Sequence, residues 1–306
     1  MNNLQATIKQ YLNFCKTQKR LDTKTLKAYS IDLKQFAEHI VDFTNTTSDD
    51  LEKYISCLHQ KYQSKTVKRK IASTKAFYRY LEYKDLICLN PFNKIQTRFR
   101  EPVTLPKIIP LNTLEILLTT MYQIHSNTHT SYARRSSLRD IAVVELLFAT
   151  GMRISELCSL TPETIDLYNQ YILIYGKGSK ERKIQLCNAD VLTILRKYGQ
   201  EYQNEINNCG YFFINRNGKR LSEQSIRDMI HKYCRVANIP QHITPHMFRH
   251  SFATFLLEED VDIRYIQEML GHSSIHITEI YTHVAMTKQR NILTTKHPRK
   301  KLCVVR

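Results

Sequence analysis

Four prolines in the stretch from Leu89 to Pro110, "LNPFNKIQTRFREPVTLPKIIP", constrain this chain most. Proline fixes φ and carries no backbone N–H, so neither a helix nor a central strand runs through such a segment. At 306 residues the chain has room for about two domains. The proline-rich stretch is therefore read as a linker at 89–110. It separates a domain at 1–88 from a domain at 111–290, with a tail at 291–306.

The first domain reads as four helices. Leu4, Ile8, Leu12 and Cys15 make one apolar stripe, and Leu26, Tyr29, Leu33, Phe36 and Ile40 a second. "TSDDLEKYISCLHQKY" opens on capping residues Thr47 and Ser48, with acids at the positive end of the helix. "SKTVKRKIASTKAFYRYLEYK" starts at Ser64 and carries Val67, Ile71, Thr74, Tyr78 and Leu81. This fourth helix also holds Lys65, Lys68, Arg69, Lys70, Lys75 and Arg79. Such a run suits a solvated face, and equally a face that contacts phosphates.

Charge favours the second use. Lys and Arg number 45 against 28 Asp and Glu, a net charge of +17. The excess is nine in residues 1–106 and eight in the remainder, so both domains are basic. A polyanion is the expected partner. No apolar run is long enough to span a membrane, and the N-terminus lacks the charged-then-apolar pattern of a signal peptide. Nucleic acid is thus favoured over a membrane surface. The eight cysteines are scattered without a C-x-x-C pair, and read as small buried hydrophobes in a reducing compartment.

The second domain mixes element types. "LRDIAVVELLFAT" is an apolar helix stopped at Gly151, and "QYILIYGKGSKERKIQL" is a β-hairpin around a glycine-containing turn. "LSEQSIRDMIHKYCRVAN" has helical spacing, and Thr244 with Pro245 opens another helix. "VDIRYIQEMLGH" is a short helix closed by Gly271, and "SSIHITEIYTHVA" a further one near Tyr281. Residues 121–140, "MYQIHSNTHTSYARRSSLRD", read as a long polar loop.

Two familiar chemistries fit poorly. His242, His246 and His250 recur at steps of four, as do His272 and His276, but Pro245 starts its helix after His242 and no H-E-x-x-H is present. Counted back from Gly176 and Lys177 of "YGKGSKER", the first glycine of a phosphate-binding loop would fall at position 171, which is a tyrosine. No metal and no cofactor is expected. What remains is a set of cationic and imidazole side chains: Arg153, Lys177, His246, Arg249 and His272. Two guanidiniums, an ammonium and two imidazoles suit stabilisation of a phosphorus centre gaining negative charge.

The segments "ATGMRISELCSL", "GKGSKERKIQL", "TPHMFRHSFATFLL" and "LGHSSIHITEIYTHV" resemble, in order and spacing, the signature segments of the tyrosine recombinases, the phage-integrase family. The likeness is greatest to Xer-type recombinases and related transposon integrases, and covers about residues 107–290. Phe248 stands where Leu is commoner, an apolar exchange. The resemblance implies a mainly α fold with a small β-hairpin or sheet. It implies a four-helix, SAM-like core-binding domain and a mixed α/β catalytic domain, the two forming a clamp around DNA.

It also implies roles. Arg153 and Arg249 hold the non-bridging oxygens of the scissile phosphate. Lys177 protonates the departing 5′-oxygen, His246 assists proton transfer and His272 bonds the phosphate. Tyr281 attacks phosphorus to form a 3′-phosphotyrosyl link. Glu156 orients Arg153, and His250 supports the site from behind. Lys65, Lys68, Arg69, Lys75 and Arg79 are the expected DNA contacts. The implied partner is double-stranded DNA with paired recombination sites. The protein assembles as a homotetramer on two sites, as a monomer or weak dimer without DNA, and with room for accessory proteins. Its tail packs on a neighbouring protomer or flanking DNA, and its setting is the cytoplasm, at the nucleoid, of a bacterium or phage host. The rival functions are a type IB topoisomerase, with similar chemistry on one duplex, and a DNA-binding relative without catalysis.

Overall fold

The computed structural model describes residues 3–40, 42–97, 99, 105–176 and 181–271. The chain divides into two compact units, Met1–Val103 and Thr104–Arg306.

The first unit contains α1 (Asn3–Thr17), α2 (Thr23–Phe36), α3 (Ser48–Lys61) and α4 (Ser64–Tyr83). The local chemistry starts these helices where the sequence places them. The Asp22 carboxylate accepts from the Thr25 amide at 2.9 Å, and Thr47 forms a reciprocal capping box with Asp50. The apolar stripes then converge. Tyr11, Leu33, Phe36, Leu51, Val67, Phe77, Tyr78 and Leu81 have no solvent exposure. Ile40 is also buried, but beyond the end of α2. The 3₁₀ turn Pro91–Lys94 closes this core, with the ring of Phe92 5.5 Å from that of Tyr78.

One charge cluster lies inside this unit. Asp32 is fully buried and accepts from Arg69, from Lys70 at 3.2 Å and from Ser73 at 2.8 Å. Lys70 also donates to Gln35 and lies 4.8 Å from the centre of the Tyr62 ring. Lys70, named in the basic run of α4 but not among the expected DNA contacts, takes no part in a phosphate-contacting face. Its ammonium is consumed by a buried carboxylate. Lys65, Lys68, Arg69 and Arg79 are exposed, and Lys75 is half-buried.

The second unit is built around α6 (Ser131–Thr150), after α5 (Leu111–Ser126). Ile141, Ala142, Val143, Val144, Leu146 and Leu147 of α6 are all fully buried, covered by α5, α8 (Ala189–Glu201) and α11 (Pro245–Glu258). Between them come α7 (Ile154–Cys158), the strands β1 (Ile165–Asp166), β2 (Tyr171–Tyr175) and β3 (Glu181–Gln185), α9 (Gln203–Cys209) and α10 (Glu223–Val236). α12 (Ile263–Leu270) follows α11. The strands form an antiparallel sheet in the order β1-β2-β3, with Ile172 opposite Ile184 and Ile174 opposite Arg182.

Residues 121–140 are not a long loop. They are the end of α5, a connection at 127–130 and the start of α6, capped by Thr130. The polar side chains that suggested a loop satisfy one another on helices. His125 Nδ1 lies 2.8 Å from Ser137 Oγ, Arg139 donates to Asp140 at 2.7 Å, and Tyr233 donates to the other Asp140 oxygen at 3.2 Å. The cysteines also depart from expectation. Cys15, Cys158 and Cys234 are buried, but Cys88 and Cys187 are exposed. Apolar sequence neighbours do not bury a residue that sits outside an element's inward face.

Candidate active site

The site forms where two helices end. α6 stops at Gly151 and α12 at Gly271, both in the left-handed region, with φ of 57° and 65°. Glycine reaches this region without a Cβ penalty. Both positions are also crowded. A Cβ at Gly151 would lie 2.6 Å from the Phe252 ring, and one at Gly271 would lie 2.9 Å from the Arg182 guanidinium.

The last carbonyls of a helix lack intrahelical donors and carry the negative end of its dipole. At α12 three arginines take three successive carbonyls. Arg182 Nε donates to Met269 O at 2.9 Å, Arg249 Nη2 to Leu270 O at 2.6 Å, and Arg153 Nη2 to Gly271 O at 3.5 Å. Arg249 also reaches the end of α6, donating to Gly151 O at 2.9 Å. Arg249 is 4% exposed, whereas the Arg153 side chain is 36% exposed.

Glu156 joins two of these arginines. One carboxylate oxygen accepts from Arg153 Nη1 at 2.8 Å and Arg182 Nη1 at 3.0 Å. The other accepts from Arg182 Nη2 and from the Arg153 backbone amide, both at 2.7 Å. Burial alone would raise the Glu156 pKa. The bonds from Arg182 and Arg153 outweigh it and hold the carboxyl below its ordinary value. Glu156 is thus a buried ionised brace and not a surface acid.

The two described histidines of the set sit on α11. His246, at the exposed rim, has its pKa lowered by desolvation and by Arg249, Arg227 and Arg153. His250, one turn on and half-buried, is pushed down to about 4 by burial, then by His246 and Arg249. Both rings are therefore neutral at pH 7. His242 precedes the helix, since Thr244 is its cap and Pro245 its first residue. Among the described residues no group of three or more His, Cys, Asp or Glu is placed to hold a metal ion. No helix among the described residues is long and apolar enough to cross a membrane.

The structure thus brings Arg153, Glu156, His246, Arg249 and His250 to one region. Lys177, His272 and Tyr281 lie outside the described residues. Sequence reasoning missed Arg182, although a signal was present. In a strand, alternate residues share a face. Ile184 is buried, so Arg182 points to the same inward side, where a guanidinium requires partners.

Residues 118–288 match the phage integrase family, and residues 8–84 match the phage integrase N-terminal SAM-like domain. The chain belongs to the phage integrase family. This integrase-family chain is 60% identical over 302 residues to a tyrosine recombinase of Agathobacter rectalis, covering 98% of this chain and 99% of the relative. It is 34% identical over 310 residues to tyrosine recombinase XerD of Listeria monocytogenes, covering 98% and 100%. Among solved structures, XerH site-specific recombinase bound to a palindromic difH substrate, a post-cleavage complex, shares the fold. Its TM-score is 0.72 at 21% identity, over 94% of this chain and 84% of that one. The integrase-family protein is accordingly a tyrosine recombinase, with the helical N-terminal and mixed catalytic domains of that fold.

Proposed function

We propose that this recombinase cuts and rejoins DNA at paired sites through a covalent phosphotyrosyl intermediate. The observation that carries this reading is the pair Arg153 and Arg249, held at the ends of α6 and α12 beside the neutral His246. Pre-oriented guanidiniums complement a phosphorane that gains negative charge, and need no reorganisation as it forms.

In the proposed reaction the Tyr281 oxygen attacks phosphorus. The bond to the 5′-oxygen breaks, and that oxygen leaves as a hydroxyl with a proton from Lys177. Neutral His246 is available to accept or return a proton, and His272 bonds the phosphate. The 3′-phosphotyrosyl bond conserves the energy of the broken linkage. A 5′-hydroxyl from the partner duplex reverses the step and releases Tyr281. Two rounds, by four protomers on two duplexes, exchange the strands through a Holliday junction. The exposed basic side chains of α4, Lys65, Lys68, Arg69 and Arg79 with half-buried Lys75, would contact phosphates from the first unit. The setting proposed is the cytoplasm of a bacterium, on nucleoid or mobile-element DNA.

The test is a covalent trap. A duplex carrying the site footprinted on DNA flanking the gene is nicked just 3′ of the scissile phosphate, so that the short fragment bearing the new 5′-hydroxyl diffuses away after cleavage. Wild type should form a protein–DNA adduct in EDTA, and Tyr281→Phe should form none. An adduct with the phenylalanine variant overturns the assignment of the nucleophile.

A further inference from the structure

Arg182 has no role in the reaction just proposed, yet its guanidinium makes three of the site's described bonds. Its guanidinium is 9% exposed. It donates to both oxygens of Glu156 and to Met269 O, which joins β3, α7 and the end of α12. The packing is close on the third side as well, because Gly271 leaves no space for a Cβ beside the Arg182 side chain.

We propose that Arg182 is a positioning residue for Arg153. The inference rests on the proposed role of Arg153 at the scissile phosphate. Arg153 is the more exposed of the two guanidiniums assigned to the phosphate, and its only close side-chain anchor among the bonds described is Glu156 at 2.8 Å. Its bond to Gly271 O is long, at 3.5 Å. Its aim therefore depends on where Glu156 stands. Arg182 fixes that carboxylate with two bonds in a fork, and ties it through Met269 to the turn that Arg153 and Arg249 share. A lysine at this position offers no planar fork and cannot hold both carboxylate oxygens and Met269 O in the same geometry.

The experiment compares full-length Arg182→Met, Arg182→Lys and Arg153→Ala in single-turnover adduct formation on the footprinted, nicked duplex. Each is run on a natural scissile phosphate and on a methylphosphonate, in which a methyl group replaces one non-bridging oxygen and removes the charge. At saturating DNA, Arg182→Met should be about 10²-fold slower than wild type on phosphate, as a misplaced group of this kind is. Its apparent KM for DNA should stay within about twofold. On methylphosphonate its deficit should shrink alongside that of Arg153→Ala, because the charge that Arg153 neutralises is gone. Arg182→Lys, which keeps the charge, should show the same pattern at smaller amplitude. Equal deficits for the Arg182 variants on the two substrates, or a deficit that disappears at saturating DNA, overturn the proposal in favour of a purely structural brace. Relief for Arg153→Ala without relief for either Arg182 variant overturns the role of Arg182 alone. No relief for Arg153→Ala overturns the assignment of Arg153 to the phosphate, and with it this inference.

Discussion

Replacing Glu156 by Gln changes one atom and removes one charge from the centre of the site. The carboxylate accepts four bonds, three from guanidiniums and one from the Arg153 amide, and is 7% exposed. The amide retains one oxygen and turns an NH₂ group toward donors, so about half of these bonds are lost. Removing one partner of a buried ion pair costs about 3–5 kcal/mol. Arg153 is 36% exposed and regains water, which lowers its share. The remaining penalty falls on Arg182, which is 9% exposed, and about 3 kcal/mol is expected. For a unit spanning Thr104–Arg306, this is a fall of roughly 6–12 °C in Tm.

The pH dependence has a definite sign. The folded pKa of Glu156 lies below its ordinary 4.5. Its contribution is complete above the unfolded value and is lost as pH falls through the folded one. Thermal unfolding of wild type and Glu156→Gln, followed by circular dichroism and calorimetry, should show a constant gap from pH 8 to about 5 that narrows in acid. A gap at pH 7 worth less than about 1 kcal/mol, or one that persists unchanged below the folded pKa, would refute the buried-brace reasoning.

Three further outcomes are expected. His250, with its pKa near 4, should keep a neutral ring in NMR titrations down to about that pH. Between pH 6.5 and 4 the unfolded chain takes up a proton that the folded chain does not, so this residue withdraws stability as pH falls; titration near 6.5 would contradict its burial beside Arg249. In the first unit, Asp32→Asn strands Lys70 and should cost about 3–5 kcal/mol in urea unfolding. Lys70→Met should leave the salt dependence of DNA binding unchanged, whereas Arg79→Ala lowers its slope by about 1; a change with Lys70→Met would mean that its ammonium reaches phosphate.

Helix existence was legible because it is local. The stripe through Leu4, Ile8 and Cys15, the cap at Thr47 and the stop at Gly151 each depend on neighbours within a turn or two, and each stands as read. Order and spacing of the motif segments likewise disclosed the family, and with it Arg153, His246 and Arg249 as candidates. Segment 121–140 misled because polar composition does not distinguish a loop from helices whose polar groups pair across an interface. His125 meets Ser137, and Asp140 meets Tyr233 from α10.

The sequence by itself thus determined the four helices of the first unit, the helix stops at Gly151 and Gly271, the basic balance of both halves and the family. Tertiary structure alone decided what each charge does. Lys70 and Arg79 are near neighbours on α4, yet one faces a buried carboxylate and the other faces water. Arg153, Arg182 and Arg249 come from three separate segments and meet at three consecutive carbonyls of α12. Their meeting depends on Gly151 and Gly271 turning the chain where a side chain would collide. Such convergence joins residues about a hundred positions apart, and no local pattern encodes it.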